Sequence, residues 1–130
     1  MTDNPNGCEN DLFCGMNQPS TQNVEEMNSL EKKHAVIIDC PDEVKKNTYF
    51  YVEVRVGEYM EHPNKPSHFI EWIELYSGDN LLSRLHLTPA KTDYILKTRV
   101  KLDHHSELVG RVRCNLHGTW ENRKDIKLVD

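Results

Sequence analysis

No apolar run in this 130-residue chain exceeds a handful of residues, so no segment can cross a membrane as a helix. A basic excess is missing as well: 16 Lys and Arg stand against 21 Asp and Glu, a formal net charge of −5. Phosphate binding needs a basic face, which argues against nucleic acid as the main partner. The opening MTDNPNGCEN has neither the basic start nor the apolar centre of a signal peptide. The expected location is therefore the cytoplasm, where thiols stay reduced. In that compartment four cysteines read better as metal ligands or free thiols than as a disulfide framework. Internal repeats, low-complexity segments and tracts of like charge are lacking too.

What is present describes a globular protein. A hydrophobic content of 37% beside 28% charged residues fits a packed chain, and the length suits one domain. Residues 1–30, rich in Asn, Gly, Ser, Thr and Gln, read as an irregular arm or loosely folded tail. Within it VEEMNSLEKK has the makings of a helical turn or two. Residues 31–130 form the body, and there the pattern is that of strands. TYFYVEVRV alternates strictly, with Phe50, Val52, Val54 and Val56 on one side and Tyr51, Glu53 and Arg55 on the other. HFIEWIELYS, LLSRLHL, TDYILKTRVKL, ELVGRVRC and DIKLV follow, separated by SGDN, TPAK and DHHS, which carry turn residues. About seven short strands so spaced predict an all-β antiparallel sandwich.

Two segments concentrate possible ligands. EHPNKPSH sets His62 and His68 at the ends of a loop stiffened by Pro63 and Pro66. RVRCNLHGTW ends a strand with Cys114 and places His117 three residues on, with Gly118 permitting a close turn. His34 stands at the mouth of the first strand. Singly, each has an ordinary reading as a solvated or hydrogen-bonded loop residue. His86, His104 and His105 fall in a strand and in the turn LDHHSE, and are assigned to solvent. Imidazole suits iron and zinc alike, so the histidines alone do not choose a metal.

EHPNKPSHFIEWIEL together with CNLHGTW resembles the iron site of the superoxide reductases, the desulfoferrodoxin and neelaredoxin family. The resemblance runs from about Glu31 to the C-terminus. It implies an immunoglobulin-like sandwich and one mononuclear iron per subunit, cycling between ferrous and ferric. Its ligands would be His34, His62, His68 and His117 around the iron, with the Cys114 thiolate axial. Four neutral imidazoles and one thiolate leave a ferrous ion at about one positive formal charge, with the position opposite sulfur open to an anion. The implied activity is reduction of superoxide to hydrogen peroxide without return of oxygen. A rubredoxin-like donor would restore the ferrous state, in an assembly of two or four subunits.

The family also carries a Glu-Lys pair directly before its first histidine. The lysine attracts the anion and helps protonate the product, and the glutamate can take the open position on ferric iron. Here the order is Glu31-Lys32-Lys33-His34: Lys33 matches the lysine, while Glu31 is displaced by one residue. The two-iron members add a four-cysteine domain with Cys-x-x-Cys and Cys-Cys. Cys8, Cys14 and Cys40 reproduce neither arrangement, so the arm is expected to hold no second iron, the alternative being a cluster completed by a non-cysteine ligand or a second subunit. Two alternatives remain at this level: a non-catalytic iron-binding electron carrier on the same fold, and an immunoglobulin-type interaction domain with a structural zinc.

Overall fold

Val52 and Val54 are fully buried, as their alternation with Tyr51 and Glu53 predicts, and the fold is built around that inward face. The computed structural model describes residues 13–105 and 107–130. Its strands are β1 (Met16–Asn17), β2 (Ile37–Asp39), β3 (Glu43–Lys45), β4 (Phe50–Arg55), β5 (Ile70–Ser77), β6 (Asn80–His86), β7 (Ile95–Val100), β8 (Leu108–Cys114), β9 (Gly118–Lys124) and β10 (Lys127–Val129). A 3-10 turn (Val24–Glu26) and a short helix α1 (Ser29–His34) precede β2. One sheet runs β1-β9-β8-β5-β6 and another β2-β4-β7, with β3 and β10 pairing separately. Val52, Val54 and Leu96 from the smaller sheet share a core with Ile70, Ile73, Leu75 and Val112 from the larger. Burying each such side chain contributes about 1.5–3 kcal/mol, so this sandwich interior is the main source of stability. Gly110 on β8 lets the layers approach: a Cβ there would meet Val54, Val36 and Ile38 at 3.0–3.2 Å.

The expected sandwich is therefore present, with more strands than about seven. The additions are instructive. β9 reads GTWENRK, with too many charges to predict a strand, yet Glu121 is buried. Arg111 on the neighbouring strand lies 3.2 Å from it and Arg123 3.0 Å, so its charge is paired. The arm is not a loose tail over its described part. β1 pairs in parallel with β9, Asn17 Nδ2 donates to Phe13 O and Thr119 O, and Gln18 donates to Glu121. Cys40 and Cys114 are free, but Cys14 is disulfide-bonded, which corrects the reading of every remaining cysteine as a thiol. A compartment sets whether thiols are kept reduced; whether the chain brings a cysteine within bonding reach is a separate geometric matter. Cys8 lies outside the described residues.

Candidate metal centre

His34 closes α1 and does not open a strand. The helix begins with a capping box: Asn28 accepts from Glu31 N–H, and the Glu31 carboxylate accepts from Asn28 N–H. In a helix with 3.6 residues per turn, Lys32 and Lys33 diverge by about 100°, not to opposite sides as in a strand. His34 is fully buried and its Nδ1 lies 2.7 Å from Leu30 O, one turn back. A carbonyl only accepts, so Nδ1 carries the hydrogen and Nε2 is a bare lone pair. His62 is fixed the same way, with Nδ1 2.7 Å from Pro63 O. The two bare Nε2 atoms lie 3.2 Å apart.

Two lone pairs facing each other in a buried site repel unless a cation lies between them. Protonation does not supply it: burial first of all lowers the pKa of His34 and His62 to about 4. His68 Nε2 is buried with no hydrogen-bond partner. Ligand atoms of His34, His68, Cys114 and His117 all fall within 4.8 Å of one another. His62 joins them through the contact with His34. The rings close a cycle: His34 to His62 4.8 Å, His62 to His68 4.8 Å, His68 to His117 5.1 Å, His117 to His34 5.1 Å, all edge to face. His34 and His68 are thus opposite members of the cycle, and so are His62 and His117. Two imidazoles at right angles around one ion, at about 2.1 Å each, would have nitrogens about 3.0 Å apart. The observed 3.2 Å fits.

Cys114, fully buried, ends β8 with its sulfur 3.7 Å from His117 Nδ1. Burial pushes its thiol pKa up, and the N–H groups of Leu116 and His117 oppose that rise. A metal that takes the thiolate must therefore release a proton. The turn behind it needs Gly118, whose φ is +78° and where an added Cβ would strike Phe13 O at 2.6 Å.

Three side chains the sequence reading left without a role hold this turn. Asn115 donates to Ser67 O and accepts from Phe69 N–H, tying the turn to the residues on either side of His68. Trp120 Nε1 donates to His117 O, and its ring stacks on His34 at 4.9 Å. Phe13, from the arm, packs its edge against His117 at 5.1 Å. Asn115 and Trp120 sit inside the quoted CNLHGTW, so their position was the available signal; Phe13 had none.

Lys33 is half-buried, and its charge lowers the pKa of His34, His68 and His117, in each case after the larger effect of burial. Lys65 acts likewise on His68. Glu31 is placed elsewhere. Its oxygens accept from the Asn28 N–H and from the Ser20 N–H and hydroxyl, and those bonds hold its carboxyl below the usual range. His104 and His105 are exposed and pair with Asp103 and Asp125, as solvent residues do.

The family model described as Desulfoferrodoxin matches residues 26–123. A relative in Methanocaldococcus jannaschii is 40% identical over 119 residues, covering 89% of this chain and 97% of its own. A superoxide reductase of Pyrococcus abyssi is 32% identical, covering 74% and 89%. Among solved structures, a superoxide reductase (neelaredoxin) variant from Ignicoccus hospitalis superposes with a TM-score of 0.74 at 34% identity, over 88% of this chain and 94% of that one. The matched span includes the helix, both ligand segments and the strands between them, and on that basis this chain belongs to the desulfoferrodoxin family.

Proposed function

We propose that the protein is a superoxide reductase, with one iron per subunit held by His34, His62, His68, His117 and Cys114. The observation that carries this reading is the pair of bare Nε2 atoms 3.2 Å apart, with His68 Nε2 unpartnered beside them and a thiol at the same centre. The donor set suits iron: four imidazoles and one sulfur exceed a tetrahedral zinc site. Bound there, iron would supply the single electron that converts superoxide to peroxide, and the Cys114 thiolate among its ligands would make it more electron-rich.

The protein's residues do the rest. Leu30 O and Pro63 O fix the tautomers of His34 and His62, so neither of these two must turn over before binding. Lys33 supplies local positive potential in a chain whose net charge of −5 repels an anion. Superoxide, one electron and two protons give hydrogen peroxide, and in this reading Lys33 assists the protons. A small rubredoxin-like protein returns the electron. Glu31, bound into the helix cap, would have to leave Asn28 and Ser20 before it could reach the metal.

Cys114→Ser tests the assignment. The oxidised, iron-loaded protein should show a sulfur-to-iron charge-transfer band in the red that fades on reduction. Cys114→Ser should fold, lose that band and lose most reductase activity. An unchanged spectrum would remove the thiolate from the centre.

A further inference from the structure

The carbonyl that orients His62 has a second donor. Tyr94, buried just before β7, lies with its hydroxyl 2.6 Å from Pro63 O. The Tyr94 hydroxyl oxygen itself accepts the Ile70 N–H at 3.2 Å. An N–H can only donate, so the Tyr94 hydrogen is committed to Pro63 O. Pro63 O is thereby shared between Tyr94 O–H and His62 Nδ1–H. The Tyr94 ring also meets the edge of His62 at 5.6 Å. Ile70 is the residue opposite Cys114 in the β5–β8 register, so one hydroxyl joins the His62 loop to the strand facing the cysteine.

Beside it lies a separate brace. Asn64 donates to Thr92 O at 2.9 Å and accepts from Ala90 N–H at 2.8 Å. Ala90 has φ +65°, unfavourable for a residue with a Cβ. Its turn is fastened by Thr92, which accepts from Thr88 N–H and donates to Thr88 O. Residues 88–94 thus grip the histidine loop at two places, and only one of them touches the carbonyl that serves a ligand.

We propose that Tyr94 is a positioning residue that sets the electronic character of His62, whereas Asn64 only holds the loop. A carbonyl shared by two donors gives less to each. With Tyr94 present, the hydrogen bond from His62 Nδ1–H to Pro63 O is weakened, the imidazole is a poorer electron donor to a metal and the reduced metal is favoured. This rests on the proposed iron site, but its first consequence does not need iron.

The experiment compares wild type, Tyr94→Phe and Asn64→Ala. In metal-free protein, nitrogen-15 NMR of the imidazoles should show the His62 Nδ1–H proton moving downfield in Tyr94→Phe and staying put in Asn64→Ala. In iron-loaded protein, Tyr94→Phe should lower the midpoint potential. Asn64→Ala should leave the potential unchanged and release metal faster, by roughly ten-fold on the scale of lost supporting contacts. If Tyr94→Phe moves neither the proton resonance nor the potential, or if Asn64→Ala moves both equally, the assignment to Tyr94 is overturned. A wild-type protein that shows the proton shift on substitution but has no iron couple would overturn the iron reading and leave the effect on His62 standing.

Discussion

Lys33 and Lys32 are adjacent and equally charged, yet their surroundings separate them. Lys33 lowers the proton affinity of three of the clustered histidines, and Lys32 is not among the charges acting on them. A cation near an open site can raise an anion's association rate roughly ten-fold or more at low salt. The effect is screened over about 8 Å at physiological ionic strength. Lys33→Ala should therefore slow the bimolecular reaction with superoxide and flatten its salt dependence, with little change in the iron spectrum. Lys32→Ala should do less. Pulse radiolysis across a salt series measures both, and equal slowing by the two substitutions would contradict the placement of Lys33. The candidate residues His62, His68, Cys114 and His117 were legible because the Pro-stiffened His-x5-His loop and Cys-x-x-His-Gly are local patterns that resemble the family's. The tautomers were not: which nitrogen of His34 is bare depends on Leu30 O, and which of His62 on Pro63 O.

Among the elements, β9 was hard to see, whereas the helical turn or two expected over VEEMNSLEKK is present as the 3-10 turn and α1, with α1 running on to His34. The strand pattern of β4, β5 and β8 could be read because apolar residues alternate or cluster where one face is buried. β9 hides because Glu121 enters the protein paired with arginines from β8 and from its own strand. α1 has only six residues, too few for a periodic signal. Its Asn28-x-x-Glu31 signature was present, but Glu31 had been matched to a catalytic role by its nearness to Lys33. The helix carries Lys33 and His34, so its cap matters beyond local stability. Asn28→Ala should cost about 1 kcal/mol in denaturant unfolding. It should also lower the iron content recovered after dialysis, because His34 would no longer be held at a fixed helix end. Full iron retention alongside the stability loss would show that Trp120 and Leu30 suffice to position His34.

For the whole molecule, the centre joins parts distant in sequence: α1, the loop of residues 62–68, the end of β8 and, through Phe13, the arm. An ion that binds only the folded state stabilises it by about 4 kcal/mol when free metal exceeds the dissociation constant a thousand-fold. Removing the metal should therefore lower the melting temperature, and His62→Ala or His68→Ala should shrink the gap between loaded and metal-free protein. Equal melting temperatures with and without iron would mean that these five side chains do not share an ion. The most direct measurement is stoichiometric. Ferrous-loaded protein is exposed to a known pulse of superoxide, and iron oxidation, peroxide and oxygen are followed together. A reductase oxidises one iron and forms one peroxide for each superoxide consumed, with no oxygen evolved. Oxygen appearing alongside half that yield of peroxide, or iron that stays ferrous while superoxide decays at its uncatalysed rate, would contradict the assignment.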